Sequence, residues 1–267
     1  MKDIALQLTR ETAGQKLHIL REYLQNYILS LMQKLGMSSS IYFVGGTALR
    51  FLYRIRRYSE DLDFSAGENW KASDLSIFMK KIANQLEKSG YSCSINVKEK
   101  LGVQKAVIGF TGLLYEAGLT HREEQKLNIH LEIDLNPPKG WVGKKTIVDL
   151  HLPVLLQHYD LASLFAGKCH ALLMRVYTKG RDVYDLFWYR SKHRELLPNF
   201  VQLNNALRQT RSDYVKVTRE NWLEVLSHKI RSLEWKTINN DVLPFLEFQD
   251  DLLTFTQENL FMLLGKM

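Results

Sequence analysis

Apolar residues recur at three- and four-residue steps between Gln15 and Leu35, at Leu17, Leu20, Leu24, Ile28, Leu31 and Leu35, and predict an amphipathic packing helix. A short apolar run, Ile41 to Val44, reads as a strand. It enters Gly45-Gly46-Thr47 and then a helical pattern through Leu49, Phe51, Leu52 and Tyr53, so the predicted order is strand, glycine turn, helix. Asp61-Leu62-Asp63-Phe64 reads as the next strand. A helix from about Lys71 to Ser89 and strands at Ser92 to Lys98 and Lys105 to Thr111 follow. The clearest strand is Leu127 to Leu135, where Leu127, Ile129, Leu131, Ile133 and Leu135 alternate with Asn128, His130, Glu132 and Asp134. Pro137-Pro138 ends it, because neither proline can donate to a ladder. A connector rich in turn residues comes next, and from Asp160 the pattern is helical almost to the end. The expectation is an α+β protein, with an α/β lobe over residues 1–150 and an all-helical lobe over 151–267.

Composition adds little to the fold and something to the function. The chain has 267 residues, 45% of them hydrophobic, with sparse Gly and Pro and no repeat or low-complexity tract, which suits a full core. The N-terminus lacks the pattern of a secretory signal and no stretch is apolar enough to span a bilayer, so a cytoplasmic protein without a membrane partner is expected. Cys93 and Cys169 lack metal-type spacing and read as reduced, structural residues; the scattered histidines do not suggest zinc. The formal charge of +7 favours an anionic partner such as a nucleotide or nucleic acid. The aromatics Trp222, Trp235, Phe245, Phe248, Phe255 and Phe261 read as core rather than as a base-stacking platform.

The segment from Phe43 to Phe64 carries the chemistry. Gly45-Gly46 lets backbone approach a triphosphate, the N–H groups opening the next helix offer an anion site, and Thr47 adds a hydroxyl. Asp61 and Asp63, two apart on a strand, point to one face and can share Mg²⁺ (or Mn²⁺), for which carboxylates are suitably hard ligands. Two metals about 4 Å apart are the recurring arrangement for phosphoryl-type transfer. Asp134 lies on the polar face of the best strand as a candidate third metal ligand, and Glu132 on the same face competes with it. In the helical half, Leu161, Leu164, Phe165, Lys168, Leu172 and Arg175 follow helical spacing, and Lys168 interrupts what would otherwise be an apolar stripe. A lysine there snorkels, pairs or serves an anion; if it stands without a partner, removing it should relieve a desolvation cost and slightly stabilise the apoprotein. Asp182 and Asp185 lie one helical turn apart, free to anchor Arg181 or Lys168 or an acceptor hydroxyl, with Asp182 equally suited to be a helix N-cap.

In their order, Gly45-Gly46-Thr47-Ala48-Leu49, Arg57-x-Ser59-Glu60-Asp61-Leu62-Asp63-Phe64, Ile133-Asp134, Lys168-x-x-Ala171-Leu172 and Arg181-Asp182-x-Tyr184-Asp185-Leu186 resemble the AbiEii/AbiGii-type toxin nucleotidyltransferases, relatives of DNA polymerase β. Trp235 and Asn240-Asp241-Val242-Leu243-Pro244-Phe245-Leu246 look like that family's C-terminal signature. The resemblance implies a mixed-sheet nucleotidyltransferase lobe and a helical lobe completing a nucleotide cleft. It implies a metal-holding pair in Asp61 and Asp63, a phosphate-binding lysine in Lys168 and a supporting acid in Asp182, with Asp185 as its rival. Gly45, Gly46, Thr47, Ser59 and Lys168 form the candidate nucleotide-binding set, with Arg57 a further possibility. The expected reaction is Mg²⁺-dependent transfer of a nucleoside monophosphate from an NTP to an acceptor. Members are commonly the toxin of a toxin–antitoxin pair, and some resemble enzymes acting on the tRNA acceptor end. An RNA acceptor, tRNA above all, and a cognate antitoxin are therefore the expected partners. Arg54, Arg56 and Arg57 would meet the RNA backbone. The competing classes are a nucleotidyltransferase for a small molecule or protein side chain, and a catalytically silent nucleotide- or RNA-binding protein.

Overall fold

The computed structural model describes residues 1–71, 73–211 and 213–265, and its first half follows the hydrophobic pattern closely. Helices α1 (Lys2–Glu11) and α2 (Lys16–Lys34) precede β1 (Ile41–Val44), α3 (Gly45–Tyr53) and β2 (Leu62–Ala66). Helix α4 (Asp74–Lys88) leads to β3 (Ser92–Glu99) and β4 (Val103–Thr111); a short α5 (Leu113–Glu116) precedes β5 (Leu127–Asp134). The expected connector instead contains two more strands, β6 (Gly143–Asp149) and β7 (Pro153–Tyr159). Six helices follow: α6 (Leu161–Met174), α7 (Gly180–Lys192), α8 (Phe200–Thr210), α9 (Trp222–Arg231), α10 (Trp235–Val242) and α11 (Gln257–Leu263).

The seven strands form one mixed sheet in the order β3-β4-β5-β2-β1-β7-β6. Strand β2 runs antiparallel to β1 and parallel to β5, and both registers matter for the site. Leu127, Ile129, Leu131 and Ile133 of β5 are buried, as are Leu20, Leu24, Ile28 and Leu31 of α2, so the two stripes read from the sequence are core faces. Edge strand β6 is exposed except at Val148, which explains why no alternation marked it.

The chain divides into two units. One comprises Met1–Arg54, Tyr58–Pro137 and Lys144–His158; the other comprises Ile55–Arg57, Pro138–Gly143 and the chain from Tyr159 onward. In the second unit, Asp160 caps α6 as its sequence position suggested, its carboxylate accepting from the Ser163 N–H at 2.8 Å. Helix α7 begins against the C-terminal segment. The Gly180 N–H donates to Asp241 at 2.6 Å, and a Cβ on Gly180 would lie 2.2 Å from the Ile238 carbonyl oxygen. The Arg181 guanidinium rests 4.0 Å from the Phe245 ring centroid. The C-terminal signature thus fixes the start of α7. Trp222 and Phe255 are core as expected, whereas Phe248 is 54% exposed and lies under the Arg56 guanidinium. Both cysteines are free, and among the described residues no helix is long and apolar enough to cross a membrane.

Candidate active site

In the sheet unit the site is built by one contact between the glycine turn and β2. The antiparallel register sets Val44 opposite Asp63, so the chain leaves β1 beside that carboxylate. Gly45 takes φ +79°, and a Cβ on it would meet Asp63 Oδ2 at 2.3 Å. Both facts demand glycine, the φ because L side chains avoid it and the contact because no space remains. Gly46 is buried in the first turn of α3. Thr47 is fully buried, and its hydroxyl donates to the Asp61 carbonyl oxygen. Thr47 therefore pins the entry to β2 instead of presenting its hydroxyl outward. The Ser59 carbonyl is held by Gln25 at 3.1 Å, and Glu60 pairs with Arg21 at 3.1 Å, so the approach to Asp61 is braced from α2.

The parallel register of β2 and β5 places Asp63 beside Glu132 and Ser65 beside Asp134. Glu132 is nearer to Asp63 in register, but it already holds the Lys105 ammonium at 2.7 Å. Asp134 accepts the Asn136 N–H at 2.9 Å. Burial pushes its carboxyl above the usual range, and that one hydrogen bond offsets the shift only in part. Among the described residues no three acidic, histidine or cysteine side chains form a ready metal-binding group. The donor chemistry nonetheless suits a hard divalent cation: Asp61 immediately precedes β2, Asp63 lies two residues on within it, and the half-buried Asp134 carboxyl stands on the neighbouring strand.

The helical unit holds a buried ionic network that the sequence shows only in pieces. Arg57 is 1% exposed and binds Asp185 through both nitrogens of its fork, each at 2.6 Å. Lys168 Nζ lies 2.7 Å from Asp185 and 3.1 Å from Asp182, and Arg175 also pairs with Asp182. Burial opposes the charge on Lys168, but Asp185 and Asp182 outweigh it and raise its pKa; burial likewise opposes ionised Asp182, and Lys168 with Arg175 hold its carboxyl below the ordinary range. Lys168 is thus paired, and the expectation that removing it stabilises the apoprotein is corrected. Asp182 stands inside α7, whose N-cap is Lys179, so it is not a cap. Arg57 leaves the proposed RNA-facing group, since its guanidinium is buried; Arg54 donates to the Asp149 carbonyl and Arg56 stands 61% exposed near Asp251. Arg175 follows Lys168 by two turns on the face read from the sequence, but its pairing with Asp182 was not anticipated.

With three cations against two carboxylates, the network carries one positive charge in excess. Such an excess in a mostly buried setting favours an anion. Lys168→Met should weaken NTP binding by about tenfold or more and should also destabilise the protein by on the order of 2 kcal/mol, because two buried carboxylates lose a charged donor. Calorimetric titration with NTP and urea unfolding check the two halves; a more stable variant would show that the network is strained without its ligand.

Two solved structures from Helicobacter pylori share the fold. One, described as a nucleotidyltransferase, is 18% identical and aligns over 95% of this chain and 93% of its own with a TM-score of 0.56. The other, JHP933, is 15% identical over 96% and 90% with a TM-score of 0.54. MenT4, a nucleotidyltransferase toxin of Mycobacterium tuberculosis H37Rv, aligns over 99% of both chains at 14% identity and a TM-score of 0.49. Among curated proteins none matches. The sequence model of the nucleotidyl transferase AbiEii toxin family, a type IV toxin–antitoxin system, matches residues 28–254. That span takes in the glycine turn, the acidic strand and all five members of the ionic network, and the chain belongs to the AbiEii family of nucleotidyltransferase toxins.

Proposed function

We propose that this nucleotidyltransferase moves a nucleoside monophosphate from an NTP to a hydroxyl of RNA, with tRNA the favoured acceptor, in a Mg²⁺-dependent reaction. The observation that carries the reading is the junction of Gly45 with Asp63, where a turn that only glycine can make is held against a half-exposed carboxylate. Asp61 and Asp63 are the metal-holding pair, and Mn²⁺ suits the same oxygen donors. Asp134 is the third ligand, because Glu132 is already engaged by Lys105. The bound metal would neutralise phosphate charge. Gly45 and Gly46 give backbone access to the phosphates, with Ser59 nearby in sequence, and Lys168 supplies a cation. Asp182 holds Lys168 in place, while Asp185 and Arg57 are the braces of that arrangement.

In the reaction the acceptor oxygen forms a bond to the α-phosphorus, the bond to the β-bridging oxygen breaks, pyrophosphate departs and the hydroxyl proton is released. The chain's own part is to hold the phosphates on fixed donors and to keep the carboxylates in register. As a member of a type IV toxin family it is proposed to work against a cognate antitoxin. Purified protein incubated with total tRNA, Mg²⁺ and each labelled NTP in turn should label RNA with one or more nucleotides. Label appearing only on protein or on a small molecule would move the acceptor to those classes.

The positive excess of the chain and two arginines outside the buried network, Arg54 and Arg56, support the RNA acceptor. Arg54→Gln combined with Arg56→Gln should weaken tRNA binding and reduce the slope of log affinity against log salt by roughly one to two, since each lost phosphate contact releases about one counterion fewer. An unchanged slope across a salt series would take both arginines off the RNA surface.

A further inference from the structure

The sheet unit contains a 290 Å³ cavity that opens on Asp61. Leu17, Leu114 and Leu127 give it apolar lining, and Gln125, Lys126, Asn128 and His130 give it polar lining. Arg21 and Glu60 also reach it, but their 3.1 Å ion pair cancels them in charge. Lys126 and Asp61 give the rest of the lining one cation and one carboxylate. With Asp61 reserved for the metal, Lys126 is the one cation of the lining outside the Arg21–Glu60 pair, enough for a single phosphate, whereas the helical unit has a surplus of cation.

The cavity suits a smaller group with one phosphate, a few hydroxyls and a flat apolar face. Its volume stands at the lower end of small-ligand pockets, which begin near ~300 Å³. The Lys126 ammonium spends one contact on the Ser94 hydroxyl, at 3.0 Å, and has further protons to donate. Asn128 and His130 are exposed and share the polar face of β5 with Glu132 and Asp134, so groups that can read a ribose line the path toward the metal-holding carboxylates.

We propose that this cavity is the acceptor subsite and takes the terminal ribonucleotide of a single-stranded RNA. Lys126 meets its phosphate, the leucines its base, and its ribose hydroxyl points toward Asp61. This rests on the RNA-directed transfer described above. It divides the labour between the units, since the cavity in the sheet unit selects the acceptor and the cationic network in the helical unit attracts the NTP.

The test uses the full chain and a fluorescently labelled RNA trimer with a free 3′-hydroxyl, bound without NTP or divalent metal. Asn128→Trp fills the cavity from an exposed position and should weaken trimer binding tenfold or more. Lys126→Gln should weaken it severalfold and serves alone if the tryptophan variant fails to fold. The affinity of each variant for the four NTPs should stay within twofold of wild type. Trimer affinities within twofold of wild type in both variants, or no trimer binding by wild type, overturn the proposal. A failure of the RNA-directed reading looks different: wild-type protein would then transfer label from NTP to protein or to a small molecule and none to tRNA.

Discussion

Asp63→Asn is expected to lower nucleotidyl transfer by about a thousandfold while leaving the urea midpoint nearly unchanged. The size follows from removing one anionic ligand of a metal worth several kcal/mol, about 4 kcal/mol being a thousandfold in rate. The preserved fold follows from shape, because asparagine occupies the same space beside Gly45. Asp61→Asn should behave alike, since the structural anchor at that position is its carbonyl, which accepts from Thr47, and not its side chain. Steady-state transfer with labelled NTP measures the effect. If Asp63→Asn keeps more than a tenth of wild-type activity, Asp63 is not a metal ligand.

The second large effect falls on stability. Arg57→Met should destabilise the protein by about 3–5 kcal/mol, the cost of leaving one side of a buried ion pair without its partner. Burial opposes the charge on Arg57 but Asp185 raises its pKa and keeps it ionised, so the guanidinium is held by its carboxylate and not by solvent. Asp185→Leu added to Arg57→Met removes the orphaned carboxylate and should recover part of the loss. Urea unfolding of the single and double variants checks this. A single variant within 1 kcal/mol of wild type would mean that Lys168 alone satisfies Asp185.

The glycine turn and acidic segment of the sheet unit were legible as elements because their logic is local. Strand, glycine turn, helix and an alternating Asp-Leu-Asp lie within about twenty residues, and periodicity reads such ranges well. The alternation from Leu127 likewise marks β5 with no help from any distant residue. The buried ionic network of the helical unit was not legible in the same way. Arg57 and Asp185 are 128 residues apart, and no period connects them. Lys168 was one of several possible partners for Asp182 and Asp185, and the fold shows that it pairs with both. Thr47 misled for the opposite reason, since a hydroxyl beside a glycine turn serves a ligand or the backbone equally well, and only the contact with Asp61 tells which. The preference proposed for Asp134 over Glu132 rests on a strand register and on the Lys105 pair, neither of which the sequence displays.

The helical unit takes Ile55–Arg57 from the middle of sequence otherwise belonging to the sheet unit, and Arg57 both clamps Asp185 and forms a backbone bridge with Leu246. The helical unit is for that reason not an exchangeable cassette. A chimaera that joined the helices of one relative to the sheet of another at a single junction near residue 151 would inherit its arginine from one parent and its Asp185 and Leu246 from the other. Such a chimaera keeps the clamp only where the parent giving the tripeptide carries the arginine and the parent giving the helices carries the aspartate that meets it.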